Sequence, residues 1–221
     1  MNLSYFKDYV SSLAVITTIL QFLSGIIVCQ QYVVKRTTAE SSPLPFICGI
    51  LSCFLWFLYG LLKHDNKIVL VNIIGVTLMI SYTIVFYIFT FKKSTVLKQV
   101  FATGVFVMFI LGYVSVEDDS VLLLGRLGLM ACSLTLLTIA APMSKLLHVL
   151  KVKCTECLPF PMILMSFIVS MLWFMYGIIE DDTYLELSNF IGATLAVSQL
   201  SLFVIYPNKP QTPIFGKSLL A

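Results

Sequence analysis

The sequence predicts an all-α membrane protein in which seven transmembrane helices form two parallel three-helix bundles joined by a linker helix, a 3-1-3 order. Three observations predict it: an apolar composition, an internal repeat, and charge that alternates between successive loops. Of 221 residues, 59% are hydrophobic and 11% charged, with a mean hydropathy of +0.97, which leaves too little polar surface to coat a soluble globule. The net charge of +3 is small and unevenly placed, so the lipid bilayer is the expected surrounding and nucleic acid is not an expected partner.

The repeat is read directly. Trp56-Phe57-Leu58-Tyr59-Gly60 returns as Trp173-Phe174-Met175-Tyr176-Gly177, and Asn72-Ile73-Ile74-Gly75 as Asn189-Phe190-Ile191-Gly192. An offset of 117 also superimposes Asp65 on Asp182, Leu70 on Leu187, Thr77 on Thr194 and Ser81 on Ser198 without a gap. Such self-similarity marks a duplicated structural unit.

A hydrocarbon core about 30 Å thick needs about 20 mostly apolar residues per helix. Runs at 10–32, 45–62, 68–91, 100–116, 121–147, 161–179 and 187–206 meet or approach that, with short loops between them. The first lacks a basic leader and a small-residue cleavage site, so it reads as a span and not a signal peptide. The offset maps spans one to three onto spans five to seven, and the fourth, without a counterpart, lets the two units run parallel. The units are therefore placed at 1–95 (first repeat), 96–118 (linker), 119–206 (second repeat) and 207–221 (tail).

Orientation follows from lysine and arginine, which are retained on the cytosolic side. Loops at 33–44, 92–99 and 145–157 and the tail collect Lys35, Arg36, Lys92, Lys93, Lys98, Lys145, Lys151, Lys153, Lys209 and Lys217, ten of the fourteen basic residues. The opposite side holds Asp8, Asp65, Glu117, Asp118, Asp119, Glu180, Asp181, Asp182 and Glu186, leaving Glu40 and Glu156 with the bases. The amino terminus is thus expected outside or in a lumen and the carboxyl terminus in the cytosol. The plasma membrane is the expected residence, with the Golgi or another internal membrane as the alternative.

Polar residues inside the spans carry the functional signal. Asn72 and Asn189 stand at equivalent depth, and a carboxamide's donors and acceptors could grip a polyol from two sides; helix-to-helix adhesion is the competing role. Trp56 and Trp173 could present ring faces to a sugar or anchor the helices at the interface. Pro43 with Pro45 opens span two and Pro159 with Pro161 opens span six, while Pro142 interrupts span five. These are helix starts or, at matching places in two repeats, hinges of a transport pathway.

Absences narrow the chemistry. By these spans no Asp or Glu lies in the hydrocarbon interior, which argues against the buried relay of a proton-coupled carrier. A Gly-rich Lys-Ser/Thr loop for nucleotide is missing, as is any His, Ser or paired-aspartate constellation for hydrolysis, so the chain is not read as an enzyme. Cys154-Thr-Glu-Cys157 has a zinc-like spacer but no second pair, and the other cysteines sit in apolar runs, so no metal is expected. Asn2-Leu-Ser4 fits a glycosylation sequon but abuts the membrane.

These motifs, together with Lys-Arg-Thr-Thr, Ala-Pro-Met-Ser-Lys-Leu and the two Leu-Pro-Phe pieces, resemble the SWEET, or MtN3/saliva, family of sugar uniporters over nearly the whole chain. The resemblance implies bidirectional facilitated diffusion of mono- or disaccharides by alternating access, with no cofactor. It implies that Asn72, Asn189 and Trp173 contact the sugar, with Trp56 in the related position, where a smaller residue is frequent. Two tryptophans narrow the pocket and favour a hexose such as glucose. The family's outer gate falls on Tyr59, His64 and Asp182, with His64 where a lysine is familiar, which would make closure pH-sensitive. Its hinge prolines fall on Pro45, Pro142 and Pro159 or Pro161, and Gly25 stands in place of the proline of span one, keeping the hinge by flexibility. Self-association of subunits is left open. A proton-coupled carrier of the Pro-Gln-loop kind is the nearest alternative, and a seven-span receptor fits the topology but not the repeat.

Overall fold

The computed structural model describes residues 3–39, 41–138, 140–156 and 158–206, so the sequon's Asn2, Cys157 and the tail with Lys209 and Lys217 lie outside the described residues. Within them, α1 (Leu3–Leu23) and α2 (Gly25–Lys35) form the first span, α3 (Leu44–Leu62) the second and α4 (Asn66–Phe89) the third. The fourth is α5 (Lys93–Val116); α6 (Ser120–Thr138) and α7 (Ala140–Val152) form the fifth, α8 (Phe160–Ile179) the sixth and α9 (Thr183–Ile205) the seventh. Helices are what a bilayer demands, because lipid offers no partner for a free N–H or C=O. The hydroxyls obey the same rule: Thr77, Ser81, Thr83, Thr194 and Ser198 each donate to the carbonyl four residues earlier, at 2.8 or 2.9 Å.

Two helices extend beyond their apolar runs. The first already includes Leu3, where the apolar run begins only near residue 10, and the fourth begins at Lys93, not near residue 100. Lys7, Lys93 and Lys98 sit inside helices because a long stem lies along apolar surface while the ammonium reaches water. Lys93 also places its ammonium 5.5 Å from the centre of the Tyr87 ring.

The first span is broken in its middle. At Ser24 the hydroxyl and the N–H both turn back to the Gln21 carbonyl, at 2.6 and 3.2 Å, which ends α1. Span five runs over α6 and α7, with residue 139 between them outside the described residues.

The apolar interior is divided unevenly. One cluster, including Ala14, Leu55, Tyr59, Ile68, Ile110, Leu127, Trp173 and Leu185, joins both repeats and the linker, and most of it lies toward the acidic end of the bundle. In the basic half the interior is split. Tyr32, Phe86 and Val96 pack within the first repeat and the linker, and Val149, Leu158, Ile163, Ala196 and Leu202 within the second repeat. Helix α5 buries few side chains, Val96 and Ile110 among them, and presents the rest of its apolar surface outward, as a lipid-facing span does.

Candidate functional site: a paired gate above a tryptophan and asparagine layer

The acidic end is built by one turn used twice. Helix α3 stops when Asp65 N–H reaches back to the Gly60 carbonyl at 2.9 Å and His64 N–H to Leu61 at 3.2 Å, with His64 left-handed at φ 57°. Helix α8 stops identically, Asp182 N–H on Gly177 at 2.9 Å and Asp181 N–H on Ile178 at 3.4 Å, with Asp181 at φ 52°. This double bond is a helix-terminating motif whose left-handed residue is, when not glycine, often Asn, Asp or His. The glycines ending the Trp-Phe-x-Tyr-Gly motifs permit the next helix to cross: a Cβ on Gly60 would stand 2.8 Å from Ile68 Cγ2, and one on Gly177 2.9 Å from the Glu186 nitrogen.

The residue after each turn starts the next helix. Asp65 Oδ1 accepts from Lys67 N and Ile68 N at 2.9 and 3.2 Å, and Asp182 Oδ1 from Tyr184 N and Leu185 N at 3.1 Å each. The remaining oxygens reach across to the opposite repeat. Tyr59 donates its hydroxyl to Asp182 Oδ2 at 2.9 Å, and Tyr176 donates to Asp65 Oδ2 at 2.7 Å. The resemblance supplied the first pair; the second follows by applying the same 117-residue offset to it.

The cation on Asp182 is Lys63, not His64. Lys63 Nζ donates to Asp182 Oδ2, whose carboxylate is fully enclosed, while His64 is exposed and lines a cleft of about 220 Å³ with Lys7, Asp8 and Glu180. The reason is local: the left-handed turn at His64 directs its side chain away from the seam, and the last αR residue before it, Lys63, points in. A second ion pair, Lys7 with Glu180, spans the same seam.

Below the gate lies a polar layer. Trp56 is seven residues before Lys63 and Asn72 seven after Asp65, so both stand about 10 Å beneath the acidic rim at 1.5 Å per residue; Trp173 and Asn189 repeat the arrangement. The indoles are 9% and 7% exposed, buried in the shared interior and not at the lipid interface. Each ring N–H crosses the seam, Trp56 to Thr135 Oγ1 at 3.0 Å and Trp173 to Thr18 Oγ1 at 2.8 Å. Each indole also packs edge-on against the gate tyrosine one turn above, at 5.5 and 5.6 Å between centroids. Thr18 and Thr135 were not legible from the sequence, except that they too are 117 residues apart.

The asparagines bond within their own helices, Asn72 Nδ2 to the Ile68 carbonyl at 2.8 Å and Asn189 Nδ2 to Leu185 at 2.9 Å. A carbonyl partner can be faced only by the amide nitrogen, so each Oδ1 is turned away from the backbone as an available acceptor. Among the described residues neither amide crosses the seam.

Of the residues expected as hinges, Pro43 and Pro159 are N-caps and Pro45 and Pro161 the second residues of α3 and α8, so counted from the helix start Pro161 corresponds to Pro45. The backbone of Pro142 lies in α7, with its side chain outside the described residues. Gly25, its repeat partner, opens α2, and a Cβ there would stand 2.4 Å from Tyr82 Cε2. The Tyr82 hydroxyl donates to the Phe22 carbonyl at 3.0 Å, so the ring of α4 occupies the kink and binds a carbonyl at its edge.

The family model described as "Sugar efflux transporter for intercellular exchange" matches residues 8–94 and again 125–211, two stretches displaced by the same 117 residues. The chain is 43% identical over 202 residues to "Sugar transporter SWEET1" of Drosophila pseudoobscura pseudoobscura, covering 90% of this chain and 89% of that one. It is 30% identical to "Sugar transporter SWEET1" of Xenopus tropicalis, over 93% of this chain and 96% of that one. It is 31% identical to "Bidirectional sugar transporter SWEET1a" of Oryza sativa subsp. japonica, over 87% and 72% respectively. A solved eukaryotic SWEET transporter shares the fold, with a TM-score of 0.78 at 21% identity over 91% of this chain and 98% of that one. With both repeats matched and the fold shared, the chain belongs to the SWEET, or MtN3/saliva, family of sugar transporters.

Proposed function

We propose that this chain is a bidirectional facilitative sugar uniporter that works by alternating access and favours a monosaccharide such as glucose. The observation that carries the reading is the divided interior: the repeats share one core toward the acidic end and keep separate cores in the basic half. Closure at the acidic end rests on bonds that each cross between repeats, Tyr59 and Lys63 to Asp182, Tyr176 to Asp65, and Lys7 to Glu180. A hydrogen bond to a charged group contributes about 1.5–3 kcal/mol net. A few such bonds match the few kcal/mol that separate interconverting conformations, so they can hold the end shut and still release it.

Sugar enters from the basic side, where the repeats keep separate cores, and reaches the layer of Trp56, Trp173, Asn72 and Asn189. There the free Oδ1 atoms accept sugar hydroxyls and the indoles limit the width to a single ring. With basic loops cytosolic, the closed end is the outer one, the amino terminus lies outside, and the plasma membrane is the residence we favour over the Golgi. The names of the relatives, sugar transporter and bidirectional sugar transporter, support the substrate class.

Counterflow of radiolabelled glucose into sugar-loaded proteoliposomes with no ion gradient tests the reading. We expect exchange from either side; its absence would remove the uniporter. An imposed pH gradient in the same vesicles tests a proton-coupled carrier, which would accumulate sugar against its own gradient.

A further inference from the structure

The repeats meet along two seams, α1 against α8 and α3 against α6, related by the 117-residue offset. Their first polar rungs match, Trp173 to Thr18 at 2.8 Å and Trp56 to Thr135 at 3.0 Å. The next rung toward the basic end does not. In the α1–α8 seam, Gln21 Nε2 donates to Ser166 Oγ at 2.8 Å. The offset carries Gln21 to Thr138 and Ser166 to Gly49. Thr138 turns its hydroxyl back onto the Thr135 carbonyl of its own helix at 2.6 Å. Gly49 has no side chain, and the direction a Cβ would take is filled by Met79 of the same repeat, its Sδ 2.9 Å away.

The extra rung sits at the break in span one. Gln21 belongs to the last turn of α1, and its carbonyl receives both the hydroxyl and the N–H of Ser24, the bonds that separate α1 from α2. One end of Gln21 thus fixes the kink and the other fixes the opposite repeat. Thr138, the counterpart of Gln21, makes no side-chain bond to the other repeat among the described residues.

We propose that the α1–α8 seam is the fixed pivot of the exchange cycle, held by Gln21 and Ser166, and that the basic end opens and closes by movement at the α3–α6 seam. Two rungs at different depths resist both sliding and rotation, whereas a single rung leaves a helix pair free to tilt about it. Gly49, whose Cβ direction is filled by Met79 of its own repeat, adds no side-chain contact across the seam that tilting must break.

The inference rests on the alternating-access reading, and cross-linking separates the two. Gln21→Cys with Ser166→Cys, and Gly49→Cys with Thr138→Cys, are made in the full chain and treated with a short bis-methanethiosulfonate in proteoliposomes. The unsubstituted chain, with its own six cysteines, is treated alike. We expect the 21–166 link to leave glucose counterflow within about two-fold of its reduced state, and the 49–138 link to suppress it at least about ten-fold, reversibly with reductant, as a gating motion requires. Loss of counterflow on linking 21 to 166, or full counterflow with 49 linked to 138, overturns the pivot. Absent counterflow in the unsubstituted chain would instead remove the carrier reading itself.

Discussion

Tyr176 donates its hydroxyl to Asp65 at 2.7 Å across the seam, and 111 residues of chain separate the two. Because Asp65 also caps α4, the tyrosine bond can be removed without touching the helix start. We expect Tyr176→Phe to loosen closure by about 1.5–3 kcal/mol, ten-fold or more in the equilibrium. Labelling of Ser11→Cys, buried beside this bond, by a membrane-impermeant maleimide from the acidic side should accelerate accordingly. Unchanged labelling would mean the bond is not part of the closure.

Lys63 is the partner of a fully enclosed carboxylate, and stripping a buried charge of its partner costs about 3–5 kcal/mol. Lys63→Glu should abolish counterflow, and Lys63→Glu with Asp182→Lys should not restore it, because position 182 also has to accept two backbone N–H groups to start α9. His64→Gly, which suits the left-handed turn, should leave exchange intact. Since no imidazole touches the Asp182 carboxylate among the described residues, counterflow should be flat between about pH 5.5 and 8. A histidine-shaped pH profile would return the gate to His64.

Removing Trp56 should widen the substrate range. Trp56→Ala takes away the indole that bonds Thr135 and backs onto Tyr59. We expect sucrose counterflow to rise relative to glucose by about ten-fold, in line with the one to three kcal/mol by which pocket size discriminates. A ratio that does not move would mean that Trp56 does not set the width.

Asn72→Ala and Asn189→Ala should each lower glucose counterflow at least ten-fold, roughly the value of one or two hydrogen bonds to substrate. Thermal stability in detergent should change little, because the bonds that are lost run to carbonyls of the same helix. A large fall in stability with retained exchange would assign the asparagines to helix adhesion.

Gly25→Pro should not behave as a return to a proline hinge. The ring of Tyr82 fills the space, and overpacking of this kind costs about 1–3 kcal/mol. The second repeat shows the compatible pair, Pro142 with Gln199 at the position of Tyr82. Gly25→Pro with Tyr82→Gln should therefore recover most of the melting temperature that Gly25→Pro loses, and no recovery would separate the two positions.

The seven spans, the repeat and the linker were legible because hydropathy and self-similarity survive any change of side-chain detail. The helical stretches 3–9 and 93–99 were not, since lysines that lie along a helix look like loop residues in a count of charge. The contact between Tyr59 and Asp182 joins two residues that the resemblance groups, while the cation beside them is the neighbour of the one it names. Which of Lys63 and His64 points inward is set by a left-handed turn, and periodicity carries no sign of it. The partners of the indoles were hidden for a different reason. Thr18 and Thr135 lie on helices of the opposite repeat, and only the packing of α1 on α8 and α3 on α6 brings them near.

Lys63 in the first repeat and Glu180 in the second hold the same place in the duplicated unit, and the ion pair at the gate depends on that one difference. A complex of two first halves would still set Lys63 of one copy before Asp65 of the other. A complex of two second halves would set Glu180 before Asp182, carboxylate against carboxylate, with no cation to separate them. The duplication has thus become a one-way step in descent: the first half keeps the means to pair with its own kind, and the second has surrendered it.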